Sequence, residues 1–219
     1  HCMASDIWKQ FKSCGSNPQI ADDVYIEHPE VIEAGDGLQM MKGVYIMGHP
    51  QRFVIEDNVA LFPYVFMQGS PEYYRFGRNL TIYPHNYISG GKFVDIGDDT
   101  HFAPNCTIYG AGGTKIGNLV AVAANTMIAG VSHHYERTDI PIVRQPSNAE
   151  PITIEDNVYV SANVVISGGV TIKTGCVIGG GAVVVKDTVE NGFYVGVPAK
   201  LKYLRHEKFA GWTPEEDDG

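Results

Sequence analysis

Aliphatic residues recur at every sixth position in the C-terminal half of the chain, and small or apolar residues recur four places after each of the first five. The first series is Ile154, Val160, Ile166, Ile172, Ile178 and Val184, and the second is Val158, Val164, Val170, Cys176 and Ala182. An α-helix requires a period near 3.6 and a simple strand a period of 2, so neither explains a fixed six. A six-residue period indicates a repeat protein.

Each six-residue unit is predicted to form one side of a triangular coil. The aliphatic residue stands among β-branched or small neighbours, and a turn-forming pair such as DN, AN or GG follows it. Three units, about 18 residues, would close one turn of a parallel β-helix with the aliphatic side chains inside. The predicted fold class is therefore all-β, a parallel β-helix of hexapeptide repeats with an ejected loop and short terminal helices.

The repeat is less regular in the N-terminal part of the chain. It begins at Ile20–Ile26, and an interruption is expected at Glu33–Gly48, where glycines mark bends or a loop. A longer excursion at Gln68–Arg75 is either a structural flap or a sugar-stacking loop, because Tyr73 and Tyr74 could also pack on the coil.

A second break runs over residues 129–149, after which the period resumes in phase. Ejecting a loop of this length costs little closure entropy. Long loops inside a compact domain are uncommon, however, and are usually functional. This loop carries the adjacent residues His133 and His134.

The ends of the chain are expected to lie outside the regular coils. Residues 1–5 resemble an expression scar. Residues 6–190 form the predicted repeat domain, and 191–219 a C-terminal extension that covers the last coil. Short helices are predicted at Asp6–Cys14 and from Leu201 onward, because a β-helix needs caps over its unpaired strand edges.

Composition and charge exclude several classes of protein. The 219 residues carry a net charge of -9 and contain no basic run, which argues against a nucleic-acid partner. No stretch reaches the roughly 20 apolar residues of a membrane span. The four cysteines show no paired spacing, so reduced, structural cysteines and a cytoplasmic location are predicted.

Four segments together carry a family resemblance: the loop beginning IAGVSHH, the stretch PITIEDNVYVSANVVISGGVTI, the run GGGAVVVKD and the exit GVPAKLKYL. They resemble the hexapeptide-repeat, left-handed parallel β-helix acyltransferases, and are most similar to the galactoside, maltose and polysaccharide O-acetyltransferases. The resemblance covers roughly Ile96 to Leu204. It implies a left-handed coil, acetyl-CoA as co-substrate, no metal, and a homotrimer whose active sites lie between neighbouring coils.

The reaction implied is direct acetyl transfer from a thioester to an acceptor hydroxyl, for which a base must remove the hydroxyl proton. The resemblance assigns that base to His133, with the neighbouring His134 as the alternative. A carboxylate could hold the imidazole tautomer, and the sequence leaves open whether Glu136, Asp139 or a more distant residue does so.

On the acceptor side, the resemblance implies that Asn105 binds the acceptor. Its other interpretation is a corner residue, where Asn is favoured because it tolerates a left-handed backbone. His85 and His101 fall in neighbouring coils and could face the same groove, or could be surface residues. Five tyrosines offer stacking faces for a sugar: Tyr73, Tyr74, Tyr83, Tyr87 and Tyr109.

On the donor side, the resemblance places the pantetheine arm of coenzyme A along the last coils, where small residues would let it approach closely. Cations near the C-terminal end would meet the donor phosphates. The implied donor residues are Ser161, Ala162, Gly179, Gly180, Lys186 and Lys200.

The predicted function is transfer of an acetyl group from acetyl-CoA to a hydroxyl of a sugar or polysaccharide. N-acylation of an amino sugar nucleotide is the first alternative. A γ-class carbonic anhydrase would need three suitably spaced imidazoles on zinc, which the adjacent histidines do not match. A non-catalytic β-helix scaffold would not need a loop that carries histidines.

Overall fold

The computed structural model describes residues 6–205, which form a parallel β-solenoid with a triangular cross-section. The chain passes through three parallel sheets in turn and returns to the first sheet one coil further along. We call the bend between the first and second sheets the first corner, that between the second and third the second corner, and that between the third and first the third corner. The predicted solenoid is confirmed.

Each coil contributes one short strand to each sheet. The first sheet comprises Ser13–Cys14, Ile32–Ala34, Phe53–Ile55, Tyr73–Phe76, Phe93–Ile96, Thr114–Ile116, Ile152–Ile154 and Thr171–Ile172. The second comprises Gln19–Ile20, Gln39–Met40, Ala60–Leu61, Thr81–Ile82, His101–Phe102, Ala121–Val122, Tyr159–Val160, Val177–Ile178, Gly192–Val195 and Lys200–Leu204. The third comprises Tyr25–Ile26, Tyr45–Ile46, Phe66–Gln68, Tyr87–Gly90, Thr107–Gly110, Met127–Ala129, Val165–Ser167 and Val183–Val184. Short 3₁₀ helices span Ile7–Gln10, Pro29–Val31 and Ile142–Arg144.

The interior of the solenoid is a single stack of aliphatic and aromatic side chains that extends from Phe11 to Tyr194. Both series of repeat residues lie in it, each member at most 2% exposed. Cys106 and Cys176 are buried there as free thiols, and burial raises the pKa of Cys106. Such burial of apolar surface is the main force that stabilises the coil.

The coils differ in length, and the difference lies at the third corner. Inward-facing residues are six positions apart across the first and second corners throughout, as from Ile55 to Leu61 and on to Met67. Strand pairing in the first sheet advances by 20 or 21 residues per turn in the N-terminal coils, as from Ile55 to Phe76, but by 18 from Ile154 to Ile172. The predicted turn of 18 is therefore correct for the last coils alone, because earlier coils insert two or three residues at the third corner.

This insertion explains why the N-terminal coils look irregular in sequence. The expected interruption at Glu33–Gly48 is wrong, since strands Ile32–Ala34, Gln39–Met40 and Tyr45–Ile46 continue the solenoid there. Gln68–Arg75 is likewise no excursion: Gln68 ends a strand of the third sheet, residues 69–72 form the third corner, and Tyr73–Phe76 is the next strand of the first sheet.

Residues 129–149 leave the third corner as a β-hairpin, which we call the hairpin. Its strands, Val131–His133 and Ser147–Ala149, pair antiparallel. The tip is held by Gln145, which is buried although most of the hairpin is exposed. Its amide nitrogen donates to the carbonyls of Arg137 and Ile140 at 2.8 and 3.0 Å. The pairing of Ile116 with Ile154 across the hairpin keeps the coils in register.

The two ends of the solenoid are closed differently from the prediction. At the N-terminus the expected helix is a single 3₁₀ turn, Ile7–Gln10, which packs on the core through Ile7 and Trp8. At the C-terminus the helix expected from Leu201 is wrong: Lys200–Leu204 is a strand that pairs antiparallel with Gly192–Val195. Backbone pairing thereby covers the open edge of the second sheet. Residues 1–5, the suggested expression scar, lie outside the described residues, as does the chain after 205.

Among residues 6–205, no helix has the length and apolar character needed to traverse a bilayer.

Candidate active site

The second corner carries one residue with a left-handed backbone in nearly every coil. His85 (φ 61°) and Asn105 (φ 62°) occupy this position in successive coils, followed by Asn125 and Asn163 (both φ 60°). Each is tied to the coil before it by a backbone hydrogen bond, as from Asn105 N to the carbonyl of Pro84 at 3.2 Å. The corner interpretation of Asn105 is therefore correct, and its exposed amide is still available to a ligand.

The four small residues predicted on the donor side lie further along the same corner. Ser161 and Ala162 precede Asn163, and Gly179 and Gly180 take the equivalent positions in the next coil, where Ser161 N donates to Ile178 O at 2.9 Å. A Cβ built on Gly180 would meet only Ala162 O, at 3.4 Å, and Ser161 Cβ, at 4.0 Å. The corner is therefore open to solvent beside Gly180. The second corner brings His85, Asn105 and these donor candidates into one file along the solenoid.

The two predicted donor lysines lie near the last strand of the third sheet, Val183–Val184. Lys186 follows that strand, while Lys200 follows Ala199, whose amide donates to Val183 O at 2.8 Å. Both side chains are exposed, and neither forms an ion pair with the described residues. Two unpaired cations at this end are available to an anionic ligand.

The histidine pair lies on the hairpin and not on a coil. His133 ends the first hairpin strand opposite Ser147, and its exposed imidazole has no hydrogen-bond partner within residues 6–205. His134 Nδ1 lies 3.3 Å from Glu136 Oε2. Hydrogen bonds from the backbone amides of Glu136 and Tyr135, with a smaller contribution from His134, lower the pKa of Glu136.

Of the carboxylates that the sequence left open as partners of the histidines, Glu136 is therefore the one that lies beside His134. Asp139 is engaged elsewhere, because it accepts both hydrogen bonds of a bidentate pair from Arg137. Sequence spacing alone could not separate the two, since both lie within six residues of the histidines.

Two cavities adjoin the hairpin. A cavity of about 200 Å³ lies at its base, lined by Ala129, Gly130, Val131, Ser132, Asn148, Glu150, Ser167 and Gly168. A second, of about 350 Å³, lies within the hairpin and is lined by His134, Glu136, Arg137, Ile140, Arg144, Gln145 and Pro146. The polar residues of the first cavity were missed by sequence reasoning, because they meet only through the pairing that spans the whole hairpin.

Within one chain, the predicted catalytic and binding residues do not all meet. The file of His85, Asn105 and the donor candidates lies at the second corner, whereas His133 and His134 leave from the third corner, across the width of the third sheet. His101 lies apart from both, exposed on the second sheet between Thr81 and Ala121.

The five tyrosines differ in what their rings contact. Tyr74 is 1% exposed in the core, and its hydroxyl donates to Gln68 O at 2.8 Å. Tyr73 stacks on Phe93 and Tyr83 packs on Phe62, while Tyr87 lies between Phe66 and Tyr109. The next coil places Ala129, a small residue that lines the cavity at the hairpin base, in register with Tyr109, whose side chain is exposed.

Comparison with known proteins places this geometry in a class. Residues 151–186 match a family model, Bacterial transferase hexapeptide (six repeats). No curated protein sequence matches the chain.

Solved structures of acyltransferases share the fold. The polySia-specific acetyltransferase NeuO aligns with a TM-score of 0.59 and 22% identity, over 90% of this chain and 79% of that one. A mutant of AntD, an N-acyltransferase from Bacillus cereus, in complex with dTDP-4-amino-4,6-dideoxyglucose and coenzyme A aligns with a TM-score of 0.58 and 20% identity, over 90% and 86%. AntD with dTDP and 3-hydroxybutyryl-CoA aligns with a TM-score of 0.52 and 18% identity, over 90% and 85%.

The chain is therefore a hexapeptide-repeat β-solenoid protein, and at these identities the likeness to the solved acyltransferases establishes the shared fold. The resemblance found in the sequence is confirmed at the level of the repeat and the solenoid.

Proposed function

We propose that the protein is an acyltransferase that moves an acetyl group from acetyl-CoA to a hydroxyl of a sugar or polysaccharide. The observation that carries the proposal is the hairpin: it is the one long departure from the coils within residues 6–205, and it carries two histidines, of which His134 lines the cavity within the hairpin. NeuO, which has the same fold, is a polySia-specific acetyltransferase, and AntD has been solved with coenzyme A.

In the proposed reaction His133 is the general base. Its imidazole takes the proton of the acceptor hydroxyl as that oxygen attacks the thioester carbonyl carbon. The carbon–sulfur bond then breaks, the acetyl group stays on the acceptor oxygen, and the imidazolium returns its proton to the thiolate of coenzyme A. General-base catalysis of this kind contributes about 10²- to 10⁴-fold in rate.

The donor would lie along the second corner, where Ser161, Ala162 and Gly180 leave room for a thin pantetheine arm. Gly179 lies beneath this surface, because it is buried and a Cβ added there would meet Val195 Cγ1 at 2.7 Å. Lys186 and Lys200 would meet its phosphates. Asn105 and His85, further along the same corner, would contact the acceptor, and His101 would contact it from the second sheet.

The assembly that we propose is the homotrimer that the family resemblance implies, and the separation of the site residues within one chain supports a site shared between copies. Within one chain the donor file and His133 are separated by the third sheet, so a second copy must bring its hairpin to the donor file of the first. The site would then lie between neighbouring solenoids.

The N-acylation of an amino sugar nucleotide is the second candidate, and one observation favours it. Arg144 lines the 350 Å³ cavity of the hairpin and forms no ion pair within the described residues, so it is free to bind a diphosphate. AntD, an N-acyltransferase solved with an amino sugar nucleotide, has the same fold.

The test is a thiol-release assay with acetyl-CoA against a panel of sugars, oligosaccharides and amino sugar nucleotides. We expect His133→Ala to lower kcat by about 10²- to 10⁴-fold, and His134→Ala and Glu136→Gln to have smaller effects. If His134→Ala and Glu136→Gln cause the large loss while His133→Ala is active, the base is His134 with Glu136 as its orienting partner. Turnover of amino sugar nucleotides alone, lost in Arg144→Ala, would replace O-acylation with the second candidate.

A further inference from the structure

The third corner repeats a His-Pro pair in the two coils nearest the N-terminus. His28 precedes Pro29 in one coil and His49 precedes Pro50 in the next, and both prolines are buried. Proline restricts the residue before it to an extended backbone. The two histidines are therefore held in the same local conformation, one coil apart.

Hydrogen bonds between coils fix this alignment. The amide of Gly48 donates to Glu27 Oε2 at 2.7 Å, and the amide of His49 donates to Ser70 Oγ of the following coil at 3.0 Å. As a result the imidazole rings of His28 and His49 are adjacent, with centroids 4.1 Å apart.

Glu30 completes the group from the 3₁₀ helix Pro29–Val31. Its Oε1 lies 2.9 Å from Nδ1 of His28. One potential ligand atom from each of His28, Glu30 and His49 lies within 4.8 Å of the other two. His28 is partly buried, while Glu30 and His49 are exposed, so an ion can reach the cluster from solvent.

We propose that His28, Glu30 and His49 bind a divalent transition-metal ion of the zinc type. Two imidazoles and one carboxylate form a ligand set that zinc accepts, with a fourth position left for water. Binding would replace the hydrogen bond between His28 and Glu30, since an imidazole nitrogen and a carboxylate oxygen each ligate in the unprotonated form.

The ion would act as a clip between the first two coils. Within the described part of the chain, the strand Ser13–Cys14 has a neighbour on one side alone, and end coils are the part of a solenoid most in need of support. This cluster lies several coils away from the hairpin, and metal binding there does not depend on the proposed acetyl transfer. Either proposal can therefore fail without the other.

The experiment uses the full chain, stripped with a chelator and titrated with Zn²⁺ by calorimetry and with Co²⁺ by visible absorption. We expect one ion per chain and a higher thermal midpoint in its presence. His49→Ala and the near-isosteric Glu30→Gln should each weaken binding by at least about 10- to 100-fold, a range already produced by loss of outer-shell partners. The matched control is His133→Ala combined with His134→Ala, which removes two imidazoles elsewhere and should bind the ion as the unaltered chain does.

The thermal midpoint of each metal-free variant checks that its coils are intact. Absence of Zn²⁺ binding by the unaltered chain would overturn the proposal. So would binding that survives in both His49→Ala and Glu30→Gln, or binding that is lost in the hairpin control, because the ion would then lie elsewhere.

Discussion

At the scale of single residues, the corners show that one side chain can satisfy the backbone and still serve chemistry. Asn105 has a left-handed backbone that asparagine adopts more readily than most residues, and its exposed side-chain amide has no hydrogen-bond partner within residues 6–205. A residue type explained by conformation is therefore not excluded from binding, and the sequence could not separate the two roles.

Tyr74 illustrates the opposite outcome, a tyrosine whose hydroxyl is fully used inside the protein. It donates to Gln68 O and accepts from Gly90 N at 3.1 Å. Tyr74→Phe should lower the free energy of unfolding by about 1–3 kcal/mol, because both backbone groups lose their buried partner. Chemical denaturation measures this, with Tyr83→Phe, an exposed tyrosine, as the matched control. If Tyr74→Phe instead lowers the affinity for the acceptor and leaves the free energy of unfolding unchanged, Tyr74 belongs to the binding site.

Gly180 tests the donor side with the smallest possible change. Gly180→Ala should fold normally, because the new methyl group meets only Ala162 O at 3.4 Å. If the donor passes over this corner, the methyl group will raise the KM for acetyl-CoA by about tenfold, equivalent to about 1.4 kcal/mol. Steady-state kinetics and a thermal melt measure both effects. An unchanged KM would remove Gly180 from the donor site.

At the scale of elements, the six-residue repeat predicted the solenoid and the inward-facing positions of its C-terminal coils. The inward positions from Ile154 to Val184 follow from the period alone, since one residue in six must face a shared interior. The N-terminal coils could not be predicted as well, because insertions at the third corner shift the phase between Ile55 and Phe76 although the strands themselves stay paired. The break at residues 129–149 was predicted as a loop, but its antiparallel pairing and the strand Lys200–Leu204 were not. Both depend on backbone pairing, which local patterns do not encode.

Neighbouring coils are also joined by polar contacts, of which Glu155 makes the most extensive set near the C-terminus. It accepts from Lys173 Nζ at 2.8 Å, from Thr174 N at 2.9 Å and from Thr174 Oγ1 at 3.1 Å. The hydrogen bond from Lys173 is the largest of the effects that hold the pKa of Glu155 below its usual value. The ionised carboxylate is thus favoured in the folded state.

A carboxyl group with a lowered pKa stabilises the folded state above its unfolded pKa, and this contribution is lost as the pH falls through the folded value. Glu155→Gln should therefore lower stability by about 1 kcal/mol at pH 7, and the difference should shrink progressively below about pH 4.5. Unfolding midpoints across pH 3–7 measure the difference, with Glu72→Gln, an exposed residue, as the control. A gap that stays constant with pH would show that the charge of Glu155 is not the cause.

At the scale of the whole molecule, the solenoid and the hairpin are nearly independent. All hydrophobic core residues lie in the coils, and none between Ile128 and Ile152 belongs to the core. The coils on either side pair directly, through Ile116 with Ile154 and Ile128 with Ile166.

Replacing residues 132–148 by two glycines should accordingly leave the thermal midpoint within about 4 °C, the shift that 1 kcal/mol produces in a domain of this size. Acetyl transfer should be abolished, since both histidines leave with the hairpin. Calorimetry and the thiol-release assay measure the two effects, and the intact chain is the reference. A collapse of the midpoint would show that the hairpin supports the coils, and retained activity would place the base outside it.

The three corners of the solenoid differ in how much their length varies from coil to coil. Inward-facing residues stay six positions apart across the first and second corners of every described coil, so those two corners keep a constant length. The third corner already accommodates additions that range from a few residues to an entire hairpin, while the strands on either side keep their partners. New segments can therefore be grafted there, coil by coil, and each coil offers its own attachment point in a row along one edge. The same edge holds both the histidine pair of the hairpin and the His28–Glu30–His49 cluster. Both groups of candidate functional residues therefore lie in segments added at the third corner.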